Sequence, residues 1–259
     1  MTTIGFLHTA EVHVATFGRL LAELAPGQPA LDLVDERLLA DARAGGLTPE
    51  LADRVRDRLN ELVAGGAGLI VCTCSTIGAV AEESAAALGV PVLRADRPMA
   101  EAAVAAGKRI GVIVTTESTL EPTLDLLRES AARSGAEASA GVGAGAGVGA
   151  SPGVGASAGV GASAKVGAGA GVDADADAGV TLVPVVAASA WRHFKSGDLR
   201  RYYEEIAAQA RGIAPEVDVI VLAQASMTPA AELIDGPPVL TSPRSAVAAA
   251  VAQLPSRHP

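Results

Sequence analysis

Eight short apolar runs, separated by stretches of helical character, constrain the fold of this chain more than any other feature. Runs rich in Val, Ile and Leu alternate with stretches rich in Ala, Leu, Glu and Arg, a pattern typical of parallel strands joined by crossover helices. The sequence therefore predicts an α/β fold. The predicted strands are Ile4 to Leu7, Leu31 to Val34, Leu69 to Cys72, Val90 to Leu93, Ile110 to Val114, Thr181 to Val186, Val219 to Leu222 and Pro238 to Leu240.

The last four runs repeat the first four in the same order. IGFLHT from Ile4 aligns with IGVIVT from Ile110, and LIVCTCST from Leu69 aligns with VIVLAQAS from Val219. The first and third runs start 65 residues apart in one half and 109 in the other, and the difference of 44 equals the length of segment 136–179. Without that segment the chain is predicted to be a duplicated unit. It forms two pseudo-symmetric lobes, each with a four-stranded, mainly parallel sheet flanked by helices.

The segment 136–179 consists almost entirely of Gly, Ala, Val and Ser and ends in alternating Asp and Ala. Ordering glycine costs much entropy, and these small side chains offer no periodic apolar face, so we expect a disordered insertion. The predicted first lobe is residues 1–97 together with 244–259. The predicted second lobe is residues 98–243, interrupted by the insertion.

Composition narrows the classes of partner. A net charge of −9 and an aromatic content of 2% argue against binding nucleic acid or an anionic membrane, because those partners attract basic patches and, for single strands, stacking rings. No apolar run approaches the ~20 residues that span a bilayer, and the first residues do not resemble a signal peptide. We therefore expect a cytoplasmic protein.

The two cysteines, Cys72 and Cys74, are too close in sequence to close a useful disulfide loop, and we expect them to stay reduced. A Cys-x-Cys pair without a further cysteine or a histidine pair at ligand spacing is a weak metal motif. No metal site is therefore predicted.

Candidate functional residues follow the strands of both predicted lobes. Ligands of parallel sheets bind beyond the carboxyl ends of the strands, where helix N-termini provide free N–H groups. We expect these two edges to face each other across a cleft that holds the active site. The residues at the strand ends are His8, Thr9, Cys74, Ser75 and Thr76 in the first lobe and Thr115, Thr116, Gln224, Ala225 and Ser226 in the second.

Cys74 is the predicted reactive group. A thiol at the start of the helix expected near Gly78 to Leu88 has its thiolate stabilised by the helix dipole, and the neighbouring hydroxyls are suited to hold a carboxylate. The alternative for a free cysteine is a small buried core residue, which is our interpretation of Cys72 inside its strand. For His8, a role at the cleft edge and a purely structural role are both open.

Two of these motifs resemble those of a known family. Cys74-Ser75-Thr76 after an apolar strand resembles the Cys-Asn-Thr motif of the aspartate/glutamate racemase superfamily, and Thr116-Glu117-Ser118-Thr119 resembles its Thr-x-x-Thr loop. The superfamily is also similar in having two pseudo-symmetric α/β lobes, with the C-terminus returning to the first.

The resemblance covers nearly the whole chain except the insertion. It implies an isomerase or racemase that acts without a cofactor at the carbon next to the carboxylate of a small acid, such as an amino acid or a dicarboxylate. It also implies that Thr119 is among the substrate-binding residues and that the protein is a homodimer.

One position departs from the family pattern. Such racemases use two cysteines on opposite faces of the substrate, whereas Gln224-Ala225 occupies the place of the second Cys-Thr, and an amide cannot exchange a proton at neutral pH. Arylmalonate decarboxylases of the same superfamily resemble the chain in having one cysteine, although theirs lies in the second lobe. A one-cysteine decarboxylase of a substituted malonate is therefore one alternative, and a catalytically silent ligand-binding protein is another.

Overall fold

The computed structural model describes residues 1–142 and 179–255, with side chains described outside 136–142. The strands are β1 (Thr3–His8), β2 (Ala30–Val34), β3 (Ala67–Cys72), β4 (Val92–Arg94), β5 (Arg109–Val114), β6 (Thr181–Val186), β7 (Val219–Leu222) and β8 (Val239–Thr241). The helices are α1 (Val12–Leu24), α2 (Glu36–Gly45), α3 (Pro49–Ala64), α4 (Ser75–Glu83), α5 (Ala85–Leu88), α6 (Arg97–Ala106), α7 (Glu117–Val142), α8 (Ala188–Ser196), α9 (Leu199–Ile213) and α10 (Ser242–Ala252). Short 3₁₀ helices lie at Ala214–Glu216 and Ala225–Leu233.

These strands form two four-stranded sheets with the same topology. Their orders are β2-β1-β3-β4 and β6-β5-β7-β8, and every neighbouring pair is parallel. The registers also agree, since Ile4 lies opposite Leu69 in the first sheet and Ile110 lies opposite Val219 in the second. The predicted two-lobed α/β fold with mainly parallel sheets is confirmed.

The repeat extends to single residues. Gly5 and Gly111 occupy the same place in β1 and β5, and a Cβ atom at either would come within 2.9 Å of Ala67 Cβ or 2.7 Å of Ile213 Cδ1. Gly5 thus requires glycine, because Ala67 packs directly on the strand backbone, whereas at Gly111 the flexible end of the Ile213 side chain would have to shift.

Two helices each pack on the sheet of the lobe that does not precede them in sequence. Helix α6 follows the last strand of the first sheet, yet its Met99, Ala100 and Ala103 are buried in the core around β5 and β7. Helix α10 follows the last strand of the second sheet, and its Val247 and Ala250 are buried in the core around β1 and β3. Each lobe is therefore completed by a helix that follows the other lobe's sheet. The boundaries at 97/98 and 243/244 stay a prediction.

The structure changes two predicted boundaries, the start of the insertion and the start of the helix after Cys74. Helix α7 continues through Val142, seven residues into the segment expected to be disordered, where alanine favours helix. The rest of that predicted insertion up to residue 178, including its Asp-Ala alternation, lies outside the described residues. Helix α4 begins at Ser75 rather than near Gly78. In residues 1–142 and 179–255, no helix combines the length and apolar character needed to cross a membrane.

A buried ion pair packs against α4. Arg94 Nε and Nη2 donate to the two carboxylate oxygens of Asp96 at 2.8 and 2.9 Å, and the two side chains are only 4% and 2% exposed. Arg94 Nη2 also lies 3.4 Å from the carbonyl oxygen of Pro122 in α7. A Cβ atom at Gly78 of α4 would lie 3.1 Å from Arg94 Nε. The pair thus links β4, α4 and the second lobe.

Removing one charge of this pair should destabilise the protein strongly. We expect Asp96→Asn to lower the free energy of unfolding by about 3 kcal/mol, because the buried guanidinium loses its counter-charge. Asp41→Asn is the matched control. It breaks the exposed pair of Asp41 with Arg54, for which we expect less than about 1 kcal/mol. Urea denaturation compares the variants, and equal losses would contradict this account.

Candidate active site

Cys74 lies at the N-terminus of α4, directly after β3. It is the N-cap residue of the helix, and no side chain caps the first turn. Its backbone has φ −116° and ψ 117°, and Gln224 at the same place after β7 has φ −113° and ψ 136°. The first-turn N–H groups of α4 are thus left for a ligand, with the thiol beside them.

A cavity with an empty volume of about 480 Å³, its open side included, lies between the lobes at these strand ends. The first lobe and the second lobe both contribute to its wall, as the cleft prediction requires. The lining residues are Thr9, Ala10, His13, Leu39, Arg43, Thr73, Cys74, Ser75, Thr76, Thr119, Trp191, Phe194, Gln224, Ala225 and Ser226.

The cavity brings together most of the predicted site. The predicted residues in its lining are Thr9, Cys74, Ser75, Thr76, Thr119, Gln224, Ala225 and Ser226. Ser75 Oγ donates to the carbonyl oxygen of Ala223 at 3.3 Å and so connects the two lobes beside the thiol. The other three predicted residues, His8, Thr115 and Thr116, lie outside the cavity lining.

Gln224 is held by Thr115. Its Oε1 atom accepts hydrogen bonds from Thr115 N at 2.7 Å and from Thr115 Oγ1 at 2.6 Å. Because the carbonyl end is occupied in this way, the NH₂ group remains as the donor. Gln224 is therefore fixed as a hydrogen-bond donor in the same cavity wall as Cys74, and its amide cannot act as an acid or base at neutral pH.

Hydroxyl groups in the wall are paired in a similar way. Thr116 Oγ1 and Thr119 Oγ1 lie 3.0 Å apart, and Ser226 Oγ lies 2.8 Å from the hydroxyl of Tyr202. Thr116 thus holds the Thr119 hydroxyl that lines the cavity. The Thr9 hydroxyl is buried without a partner in the described part of the chain.

His8 is held behind the cavity by two hydrogen bonds. It is fully buried, its Nδ1 lies 3.0 Å from Thr73 Oγ1, and its Nε2 lies 3.0 Å from Asp32 Oδ1. Burial lowers the pKa of His8, and the hydrogen bond and charge of Asp32 oppose this shift. Of the two interpretations of His8, the structure favours the structural one, because both ring nitrogens are used.

His13 is a cavity residue that sequence reasoning missed. The alignment that pairs Ile4 with Ile110 also pairs His13 with Thr119, so the internal repeat contained a signal for it. Burial lowers the pKa of His13 to about 4, and the charge of His8 adds to this effect. His13 is therefore neutral at neutral pH.

An arginine on an aromatic ring closes one side of the cavity. The Arg43 guanidinium of α2 lies 4.4 Å from the centre of the Trp191 ring of α8, and that ring stacks on Phe194 at 4.9 Å. Burial lowers the pKa of Arg43, and the charge of Cys74 opposes this shift. This contact between the lobes had no sequence signal, because it depends on how two separate helices are placed.

Cys72 is unsuited to chemistry. It is fully buried in β3, its Sγ lies 3.7 Å from the carbonyl oxygen of Cys74, and burial raises the pKa of its thiol far above the ordinary value. The prediction that Cys72 belongs to the core is consistent with this burial. Across the described ranges, no group of three or more His, Cys, Asp and Glu side chains could hold a metal ion.

Comparison with known proteins identifies the fold. No family model matches the sequence, and no curated protein matches it. Among solved structures, an aspartate racemase of Picrophilus torridus is 13% identical over 97% of this chain and 94% of its own, with a TM-score of 0.62. A glutamate racemase of Francisella tularensis, in complex with D-glutamate, is 11% identical over 97% and 80%, with a TM-score of 0.62.

An arylmalonate decarboxylase, with a cysteine in place of a glycine and sulfate bound, is 17% identical over 96% of this chain and 92% of its own, with a TM-score of 0.53. The structural likeness thus extends to racemases and to a decarboxylase. The chain shares its fold with these racemases and with the decarboxylase.

The buried His13 should make stability depend on pH. Between about pH 6.5 and pH 4 the unfolded chain binds a proton that the folded His13 does not. Stability is therefore full above pH 6.5 and falls as the pH is lowered towards 4. We expect His13 to account for a loss on the order of 2 to 3 kcal/mol across this range.

Urea denaturation at several pH values tests this expectation. His13→Gln should flatten the dependence, leaving the contribution of His8. An unaltered slope in His13→Gln would show that His13 is solvated.

Proposed function

We propose that the protein is an enzyme that moves a proton at the carbon next to a carboxylate of a small acid, with Cys74 as the acid/base. The observation that carries the proposal is the position of Cys74. Its thiol lies at the uncapped N-terminus of α4 and lines a cavity between two lobes. An isomerase or racemase is the activity we favour.

The polar part of the cavity suits a carboxylate substrate. Thr9, Thr76 and Thr119 contribute hydroxyl groups, and the first turn of α4 contributes N–H donors. When the α-proton leaves, negative charge moves onto the carboxylate oxygens, and preorganised donors stabilise that charge. The Gln224 NH₂ group and the Arg43 guanidinium are further donors in the wall. No cofactor is needed for this chemistry.

The neighbouring folds support the same class of substrate. Each of the three structures is named after a carboxylic acid. They are the aspartate racemase, the glutamate racemase with bound D-glutamate and the arylmalonate decarboxylase. The first two are racemases, which agrees with an isomerase. The third is a decarboxylase, which keeps a lyase as the second candidate.

The main test is exchange in deuterated buffer. A panel of α-substituted mono- and dicarboxylates is incubated with the protein, and mass spectrometry measures deuterium in the recovered acid. We expect wash-in with at least one acid, and we expect Cys74→Ala to lower by about 100-fold or more the exchange of the enantiomer whose α-hydrogen faces Cys74, because the group that transfers this proton is removed.

Cys72→Ala is the matched control, since it removes the other thiol two residues away without touching the cavity. We expect it to keep the exchange rate within a few-fold while losing some stability, because it leaves a small void in the core. Unchanged turnover in Cys74→Ala would show that Cys74 is not the acid/base.

A decarboxylase of a substituted malonate is the second candidate function, and two observations favour it. Gln224 cannot transfer a proton, and one side of the cavity is formed by the apolar groups of Leu39, Trp191 and Phe194. Loss of carbon dioxide leaves an enediolate without any base, and the Cys74 thiol then protonates one face.

If the protein decarboxylates, the hand of its product is predictable. Its thiol lies in the first lobe, opposite to the lobe that holds the cysteine of arylmalonate decarboxylases in the resemblance given above. We therefore expect product of the opposite hand from an α-methyl arylmalonate, measured by chiral chromatography. Product of the same hand would contradict protonation by Cys74.

A further inference from the structure

His13 lies where the cavity of Cys74 meets a second cavity. The second cavity has an empty volume of about 430 Å³, its open side included, and it is lined by His13 and by the second-lobe segment that follows Gln224. Ala225, Ser226, Thr228 and Pro229 of that segment line it, whereas Cys74 and its neighbours do not. His13 therefore lines the site beside Ala225 and Ser226, the two residues that follow Gln224.

The internal repeat places His13 in the same way. Its counterpart Thr119 begins α7, which packs on α4 behind Cys74, and His13 begins α1, which contacts the 3₁₀ helix that follows Gln224. The helix that carries each residue thus packs on the strand-end segment of the other lobe. His13 accordingly lines the cavity beside the segment that follows Gln224.

The two nitrogens of His13 differ in their surroundings. Nδ1 is buried and has no hydrogen-bond partner in the described residues, while the ring packs near His8 and Phe17 with centroids 6.3 and 6.5 Å away. Nε2 is not among the buried polar atoms and makes no hydrogen bond in the described part of the protein. Nε2 is therefore the nitrogen that a molecule in the cavity can reach.

Inversion at a carbon atom needs a proton-transferring group on each face, and Gln224 supplies none. We propose that His13 is the second acid/base of the site, on the face opposite Cys74. This inference rests on the proposed function, and it assigns to a helix residue of the first lobe the role that the amide cannot perform.

The proton balance is complete without an additional reactant. Neutral His13 takes the α-hydrogen as a proton through Nε2, and the electron pair of the C–H bond moves into the carboxylate to give an enediolate. The Cys74 thiol then gives its proton to the opposite face of the carbon. Imidazolium and thiolate remain, and this state acts on the other enantiomer or returns to the first by proton exchange with water.

The closing experiment follows both enantiomers of an acid that exchanges in the panel described above. We expect His13→Gln and Cys74→Ala each to lower interconversion by about 100-fold or more. Each variant should still exchange the α-hydrogen of one enantiomer, and the two variants should retain opposite enantiomers, since each keeps one face active. His193→Gln should behave as the wild type.

Two outcomes overturn the inference while the proposed function stands. One is that His13→Gln interconverts the enantiomers at the wild-type rate. The other is that this variant loses exchange equally with both enantiomers. If the wild type exchanges with no acid, the proposed function fails and the inference fails with it.

A second measurement observes ligand binding to the wild-type protein. Proton NMR follows the His13 ring resonance, assigned by its loss in His13→Gln, during titration with phenylmalonate. We expect a chemical-shift change that saturates together with protection of Cys74 from iodoacetamide. Protection of Cys74 without any change at His13 would show that His13 does not face the ligand, and would overturn the inference.

Discussion

The parallel pairing of β1 with β3, and of β5 with β7, is the constraint on which the site depends. In each sheet this register brings two strand ends to the same edge, and so sets Thr9 beside Cys74 and Thr115 beside Gln224. A slip of one residue would turn every side chain of a strand to its other face. At Gly5 the absent side chain leaves room for Ala67, the first residue of β3, beside the backbone of β1. The positions of the cavity residues thus depend on strand pairing inside the sheets.

Duplication explains both the likeness and the difference between the two halves of the site. Cys74 and Gln224 have nearly the same backbone geometry, yet one side chain can exchange a proton and the other is fixed as a donor by Thr115. His13 and Thr119 are a second pair of counterparts that differ in chemistry. A duplicated frame can therefore keep its shape while each of its equivalent positions takes a separate role. In our proposal, the proton-transferring groups both come from the first lobe.

Much of the fold was predictable because its signals are local or periodic. Apolar runs, the equal spacing of the halves and the motif around Cys74 gave the strands, the two lobes and most of the cavity wall. The full burial of His8 was not predictable, since it depends on Asp32 and Thr73, which come from neighbouring strands. Arg43 and Trp191 meet only because α2 and α8 approach each other from different lobes. His13 is an intermediate case, because the repeat aligned it with Thr119 although its own surroundings gave no signal.

The contact of Arg43 with Trp191 has a consequence for observing the protein. Trp191 is the single tryptophan of the chain, so its emission reports on one place, the join between α2 and α8. A guanidinium lying on the indole ring ties that emission to the distance between the lobes. Any motion that widens the cleft separates the cation from the ring, and any ligand that draws Arg43 inward does the same. Trp191 emission therefore reports any change in the contact of Arg43 with the ring, whether the cleft opens or a ligand moves the arginine.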